Sequence, residues 1–372
     1  MQKHQAFRLF KVAALFASLL VSNSALAQAR FVKESVSLSH GKWVNDAKPL
    51  CQVAEETLLY LNKGQAYDPV AIHGGKVAGA TFPLNRVKET LSFVCQTARS
   101  NPKLLSDPQF IRDNFELIRW YPDVAGAHKT AKEKPLLANI PKDQILQTKY
   151  YVRIADGAAS KTAKQSQALY GLPFDEANLK LAEADALGTK ITRFQLGKQA
   201  IVNGALEQKP LRAPALVWLS RDDLEGALLQ GTAVIPNGNS YRYFNVHRTN
   251  GIPYNRKIAP EQQERYWYFK EVKSVLGYGK DADYKIPIQP QVTVAGDIPQ
   301  LGLGKLILLA TKEHGNITYR LTILADTGGA FANNLYQLDW LSGYYRGWDD
   351  YYAANKHRGD YSNSWILVKK LK

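Results

Sequence analysis

Two aspartates near the end of the chain, Asp326 and Asp339, are the residues best placed to do chemistry. Residues 319–324 (Tyr-Arg-Leu-Thr-Ile-Leu) alternate and then turn apolar, the pattern of a strand entering a core, and they lead directly to Asp326-Thr327-Gly328-Gly329. The two glycines permit a sharp turn and the close approach of backbone or ligand to that carboxylate. Asp339-Trp340-Leu341-Ser342-Gly343 again sets an Asp among large apolar groups beside a glycine. Desolvation raises a carboxyl pKa, and a second carboxylate nearby raises it further. A general acid working at neutral pH needs that condition. The competing expectation is two solvated turn aspartates.

The remaining chemistry-bearing patterns are sparse. The 7 His residues are scattered, with no metal-like spacing and no His/Cys cluster, so no metal or cofactor is expected. A Gly-x-Ser-x-Gly nucleophile elbow and a phosphate-cradling Gly-rich loop are both absent. Asp326-Thr327-Gly328 is also the tripeptide of aspartic proteases, but that chemistry needs two carboxylates sharing a proton and the tripeptide occurs once. The 2 cysteines, Cys51 and Cys95, fall in helical-looking segments, residues 50–61 and 84–98. In an oxidising compartment they read as a disulfide stapling two helices, with a Cys nucleophile as the alternative.

An oxidising address follows from the N-terminus. Lys3, Arg8 and Lys11 precede an apolar run over residues 12–21 and an Ala25-Leu26-Ala27 cleavage site, the three parts of a signal peptide. An uncleaved anchor is the alternative. The expectation is residues 1–27 as signal peptide and a soluble periplasmic chain, with no Cys after the apolar run to carry lipid. The formal charge is +15, or +12 without that segment. A basic exported protein attracts anionic polymers: nucleic acid, anionic lipid, or peptidoglycan with its carboxylate-bearing stems.

The elements that must position the aspartates are mostly strands. After the two helices, residues 108–120 read as a helix or a helix-to-strand transition, and 125–150 as a loop or linker. From residue 190 the chain is strand-rich. Turn signals at Pro236-Asn237-Gly238-Asn239, Asn250-Gly251 and His314-Gly315-Asn316 imply hairpins. Residues 259–275 read as helical in part, and residues 365–368 as a last strand. Short strands with Gly-rich turns predict a mainly β second half, as in a barrel.

Several segments then line up, in order, with one family. Lys190-Ile191-Thr192-Arg193-Phe194-Gln195-Leu196, Val217-Trp218-Leu219, Leu228-Leu229-Gln230-Gly231 and Thr249-Asn250-Gly251-Ile252-Pro253-Tyr254 come first. Asp297 before Pro299, Asp326-Thr327-Gly328-Gly329-Ala330 and Asp339-Trp340-Leu341-Ser342-Gly343 follow. Over roughly residues 115–370 the chain resembles the membrane-bound lytic transglycosylase A family, the MltA domain with a C-terminal three-aspartate domain. It departs from the family pattern at Arg119-Trp120-Tyr121-Pro122, at Gln195, at Gln230-Gly231-Thr232-Ala233 and at Phe331-Ala332-Asn333.

The resemblance implies a mainly β protein with N-terminal helices. A double-psi β-barrel would be built from residues 28–130 and 270–372, and a second β domain, residues 131–269, inserted in it. It implies a lytic transglycosylase cleaving the MurNAc–GlcNAc β-1,4 bond with a single aspartate as acid and base, and no cofactor. Asp339 takes that role, with Asp326 the second candidate. Tyr121, Gln230, Asn250, Tyr254, Thr327, Gly328 and Gly329 are the groove residues and Asp297 a supporting acceptor. For Asn250 and Tyr254 a structural turn is the alternative. Glycan strands are the implied partner, with cell-wall synthesis or division proteins as further partners, a monomer, and no nucleic acid. The altered motifs leave a non-catalytic peptidoglycan-binding relative as the alternative.

Overall fold

A computed structural model describes residues 28–371 except 39, 76, 78–81 and 256. The expected signal peptide, residues 1–27, lies outside the described residues. In chain order the strands are β1 (Arg30–Lys33), β2 (Lys42–Trp43), β3 (Phe115–Tyr121), β4 (Ile145–Arg153), β5 (Gln167–Tyr170), β6 (Ala215–Leu219) and β7 (Thr232–Asn237). They continue as β8 (Ser240–Thr249), β9 (Trp267–Val272), β10 (Thr293–Ala295), β11 (Leu306–Glu313), β12 (Asn316–Asp326), β13 (Gln337–Tyr345) and β14 (Arg358–Lys369).

Six of these strands close on themselves in the order β14-β11-β12-β10-β13-β4. The ring is completed by Tyr361 and Ser362 of β14 against Leu146 and Ile145 of β4. β10–β12 and β13–β4 are parallel and the other barrel pairs antiparallel, so this is the expected double-psi barrel. Ring closure pairs the six strands with one another, and β3 and then β1 extend the sheet outward from β14. The β11–β12 hairpin turns on two residues, His314 (φ 46°) and Gly315 (φ 84°), between the paired Glu313 and Asn316. Both turn residues are left-handed, as a turn matching the strand twist requires.

Two helices, α1 (Ala47–Leu61) and α2 (Leu84–Ser100), cover the barrel. Leu50, Val53, Ala54, Thr57, Tyr60 and Leu61 recur every three to four residues on the buried face of α1. Cys51 and Cys95 are disulfide-bonded, with Cα atoms 4.6 Å apart, and join the two helices.

The second domain has its own core, including Leu169, Val217, Leu224, Phe244, Tyr266 and Tyr268. It holds the β5–β6 pair and the antiparallel sheet β7-β8-β9. Its helix Arg221–Gln230 is capped by the Ser220 hydroxyl and stopped by Gly231 at φ 76°, the left-handed position that favours glycine.

Two expectations change. β4, read as part of the insertion, is a barrel strand, because its residues pair in parallel with β13 from Leu146↔Gln337 to Arg153↔Tyr345. Residues 259–275 hold strand β9 and one short 3-10 turn (Pro260–Gln262) instead of a partial helix. Trp267, Tyr268 and Phe269 pair with β8, and aromatic residues suit a pleated, half-buried surface.

Candidate active site

The short strand β10 brings the two aspartates together. Ala295 pairs with Asp326 of β12 on one side and with Asp339 of β13 on the other. Two strand spacings separate the backbones, roughly 10 Å. Asp326 is the last residue of β12, and Asp339 lies within β13 between fully buried Leu338 and Trp340. Asp339 is therefore a strand residue, not one of two solvated turn aspartates.

The two carboxyl groups are held differently. Asp326 Oδ2 accepts the Tyr150 hydroxyl at 2.7 Å and Oδ1 accepts the Thr327 N–H at 2.8 Å. Burial raises its pKa to about 6, while those donors and nearby Lys285 pull it back down. Asp339 Oδ1 is covered and has no hydrogen-bond partner among the described residues. Burial raises its pKa to about 7, and the charge of Asp326 adds to the rise, against the lowering effects of Thr148 and Lys149. A carboxylate oxygen without a donor is disfavoured in a desolvated place, so Asp339 holds its proton at a pH where Asp326 has lost one.

Beside them opens a cavity of about 600 Å³ between the barrel and the second domain. Asp326 and Thr327 form part of its wall, with Tyr150 and Tyr151 from β4, Gln230 from the second-domain helix, and Trp348 and Tyr351 from the helix Trp348–Asn355. Tyr151 and Tyr351 stack at 4.9 Å, and Trp348 extends the aromatic row to a rim where it is 65% exposed. Flat aromatic faces of this kind suit contact with sugar rings.

The sequence-derived residues divide. Asp326, Thr327 and Gln230 line the cavity. Gln230 Oε1 accepts the N–H of Arg153, which ties the second domain to the end of β4. Asn250 is buried and serves a turn: its amide donates to Leu196 O and Glu264 O, and its oxygen accepts the N–H groups of Ile252 and Tyr266. Tyr254 sits under Arg265 against a separate small hollow, and the Tyr121 hydroxyl donates to Glu34; neither lines the cavity. Gly328 (φ −161°) is extended, and a Cβ on it or on Gly329 would meet no close atom, so no sharp turn demands either glycine. Asp297, buried, accepts the Gln300 and Asn334 N–H groups and braces the chain before β13. Tyr150 and Lys285 escaped the sequence reading because what marks them is a partner or a cavity wall far away in sequence.

No family model matches the sequence, and no curated protein matches it either. Solved structures do. A membrane-bound lytic murein transglycosylase from Agrobacterium tumefaciens superposes with a TM-score of 0.56 at 16% identity, over 91% of this chain and 98% of that one. MltA from Neisseria gonorrhoeae gives 0.56 at 16% identity, over 88% and 87%. Escherichia coli MltA with bound chitohexaose gives 0.54 at 15%, over 92% and 95%. The fold of this chain is therefore that of the MltA structures, barrel and second domain together.

Proposed function

We propose that the chain is a peptidoglycan lytic transglycosylase with Asp339 as its acid and base. The observation that carries this reading is the unequal pair: one carboxyl with a bare, covered oxygen and a pKa raised to about 7, beside a hydrogen-bonded carboxyl raised to about 6. Support comes from the shared fold and from the chitohexaose bound to one of its structural neighbours. The Asp339 carboxyl protonates the oxygen of the MurNAc–GlcNAc β-1,4 bond as that bond to C1 breaks. The Asp339 carboxylate then takes the proton of the muramic acid 6-hydroxyl, whose oxygen closes on C1 to give the 1,6-anhydro product. The proton ends on Asp339, so one group serves twice and no water is consumed. That dispenses with the second catalytic carboxylate of ordinary glycosidases. Asp326, kept ionised by Tyr150 and Thr327, supplies the negative charge that holds the proton on Asp339. Export to the periplasm, as residues 1–27 lead one to expect, brings the chain to its polymer. Among the described residues no helix is long and apolar enough to cross a membrane.

A second reading is a glycan-binding relative without turnover. It is favoured by Asp339 standing outside the cavity lining, with its Oδ1 covered. Mass spectrometry of the ends formed on isolated glycan strands tests the reaction. Anhydro-muramic ends are the expected product. Reducing muramic ends would replace the lyase by a hydrolase, and unchanged strands would favour the binding protein.

A further inference from the structure

Two lysines line the cavity, and their ammonium groups are in different states. Lys149 donates to Asp360 Oδ1 at 2.6 Å and to Arg358 O at 3.3 Å. Lys285 has one acceptor among the described residues, Asn245 Oδ1 at 3.5 Å, the limit of a hydrogen bond. Among the described residues no hydrogen bond or ion pair joins Lys285 to Asp326, whose two oxygens accept from Tyr150 and Thr327. Tyr278, another wall residue, turns its hydroxyl away to Asp68 at 2.7 Å. The backbone that carries Lys285 is anchored: the next residue, buried Ile286, exchanges backbone hydrogen bonds of 2.8 Å with Gly277 and Tyr278. A desolvated cation is thus held at the cavity wall with donors to spare. Burial and Lys270 work against its charge, and Asp326 supports it. Such a group is stabilised most by an incoming anion.

The glycan backbone offers one anion. The lactyl group of muramic acid is a carboxylate when its stem peptide is gone and a neutral amide when the stem is attached. Building on the proposed activity, we infer that Lys285 reads a free lactyl carboxylate, which makes strands stripped of peptide stems the preferred substrate. The class of reaction that supplies such a substrate is hydrolysis of the amide between the lactyl group and the stem.

The test compares stripped and stem-bearing strands as substrates for the wild type, Lys285→Met and Lys285→Arg. The wild type is expected to favour stripped strands by about tenfold in kcat/KM, mostly through KM, for one charge-assisted contact. Lys285→Met should bring the ratio close to one, Lys285→Arg should keep part of it, and added salt should erode it. A wild-type ratio of one, or an equal loss on both substrates in Lys285→Met, would overturn the inference and leave Lys285 as a support for Asp326. Should no anhydro ends form on either substrate, the catalytic reading fails by itself. Calorimetric affinities for stripped strands and for uncharged chitohexaose then decide the role of Lys285. Selective loss of the stripped-strand affinity in Lys285→Met upholds it, and unchanged affinity overturns it.

Discussion

Replacing Asp339 by Asn separates the catalytic cost of the site from its stability. The unfolded chain releases this proton near 3.9 and the folded chain near 7. Between those values the folded state binds more protons, so the group loses stability as pH rises, and the whole penalty is present above about 7. Three pKa units correspond to roughly 4 kcal/mol. Asp339 is partly exposed, and solvent screening cuts this to about 2 kcal/mol. Asn has the same shape and no charge to desolvate. Asp339→Asn should therefore be more stable than the wild type by about 2 kcal/mol at about pH 8, which for a chain of this size is a Tm rise of roughly 3 °C. Near pH 4, where the folded group keeps its proton and the unfolded one is only about half ionised, most of the difference should be gone and the two Tm values should lie within about 1 °C. Thermal unfolding followed by circular dichroism at both pH values reads the difference. Equal Tm values at about pH 8, or a loss of stability there, would refute the argument that Asp339 is a desolvated acid.

Other consequences are as concrete. The pair titrates as a unit, so kcat/KM should follow a narrow bell, rising as Asp326 ionises near 6 and falling as Asp339 loses its proton near 7. Tyr150→Phe removes the 2.7 Å donor to Asp326, and its rising limb should move up by roughly one pH unit with a lower maximum; an unmoved limb would show that the bond does not tune Asp326. Cys51→Ser should lower unfolding stability by about 2–4 kcal/mol in denaturant titrations by freeing α1 from α2, with the cavity residues unaffected. Trp348→Ala should leave Tm within about 1 °C, since an exposed side chain contributes little. It should raise KM for glycan strands about fivefold, the order expected for one lost aromatic contact.

What was legible in the sequence was mostly local. The apolar spacing of residues 50–61 and 84–98 produced α1 and α2, and their facing positions produced the Cys51–Cys95 bond. His314-Gly315 and Gly238 marked hairpins because left-handed backbone is costly for most other residues. Asp326 and Asp339 stood out because charged groups among apolar neighbours are rare. Long-range pairing was hidden. β4 joins the barrel through a parallel partner nearly two hundred residues away, and nothing in its own residues announces this. Asn250 belongs to a motif that a groove and a turn explain equally well, and only its buried hydrogen bonds decide where it lies. Lys285 sits in an irregular stretch between β9 and β10, where no period exists to mark a side chain that reaches a cavity.

The most direct measurement is mass spectrometry of soluble products after incubating the protein with purified sacculi, beside Asp339→Asn and Asp326→Asn, near pH 6.5. The proposed mechanism predicts anhydro-muramic products from the wild type, none from Asp339→Asn, and a reduced but detectable yield from Asp326→Asn. Products persisting in Asp339→Asn and vanishing in Asp326→Asn would transfer the acid role to Asp326. Silence from all three, with binding to sacculi retained, would contradict catalysis altogether.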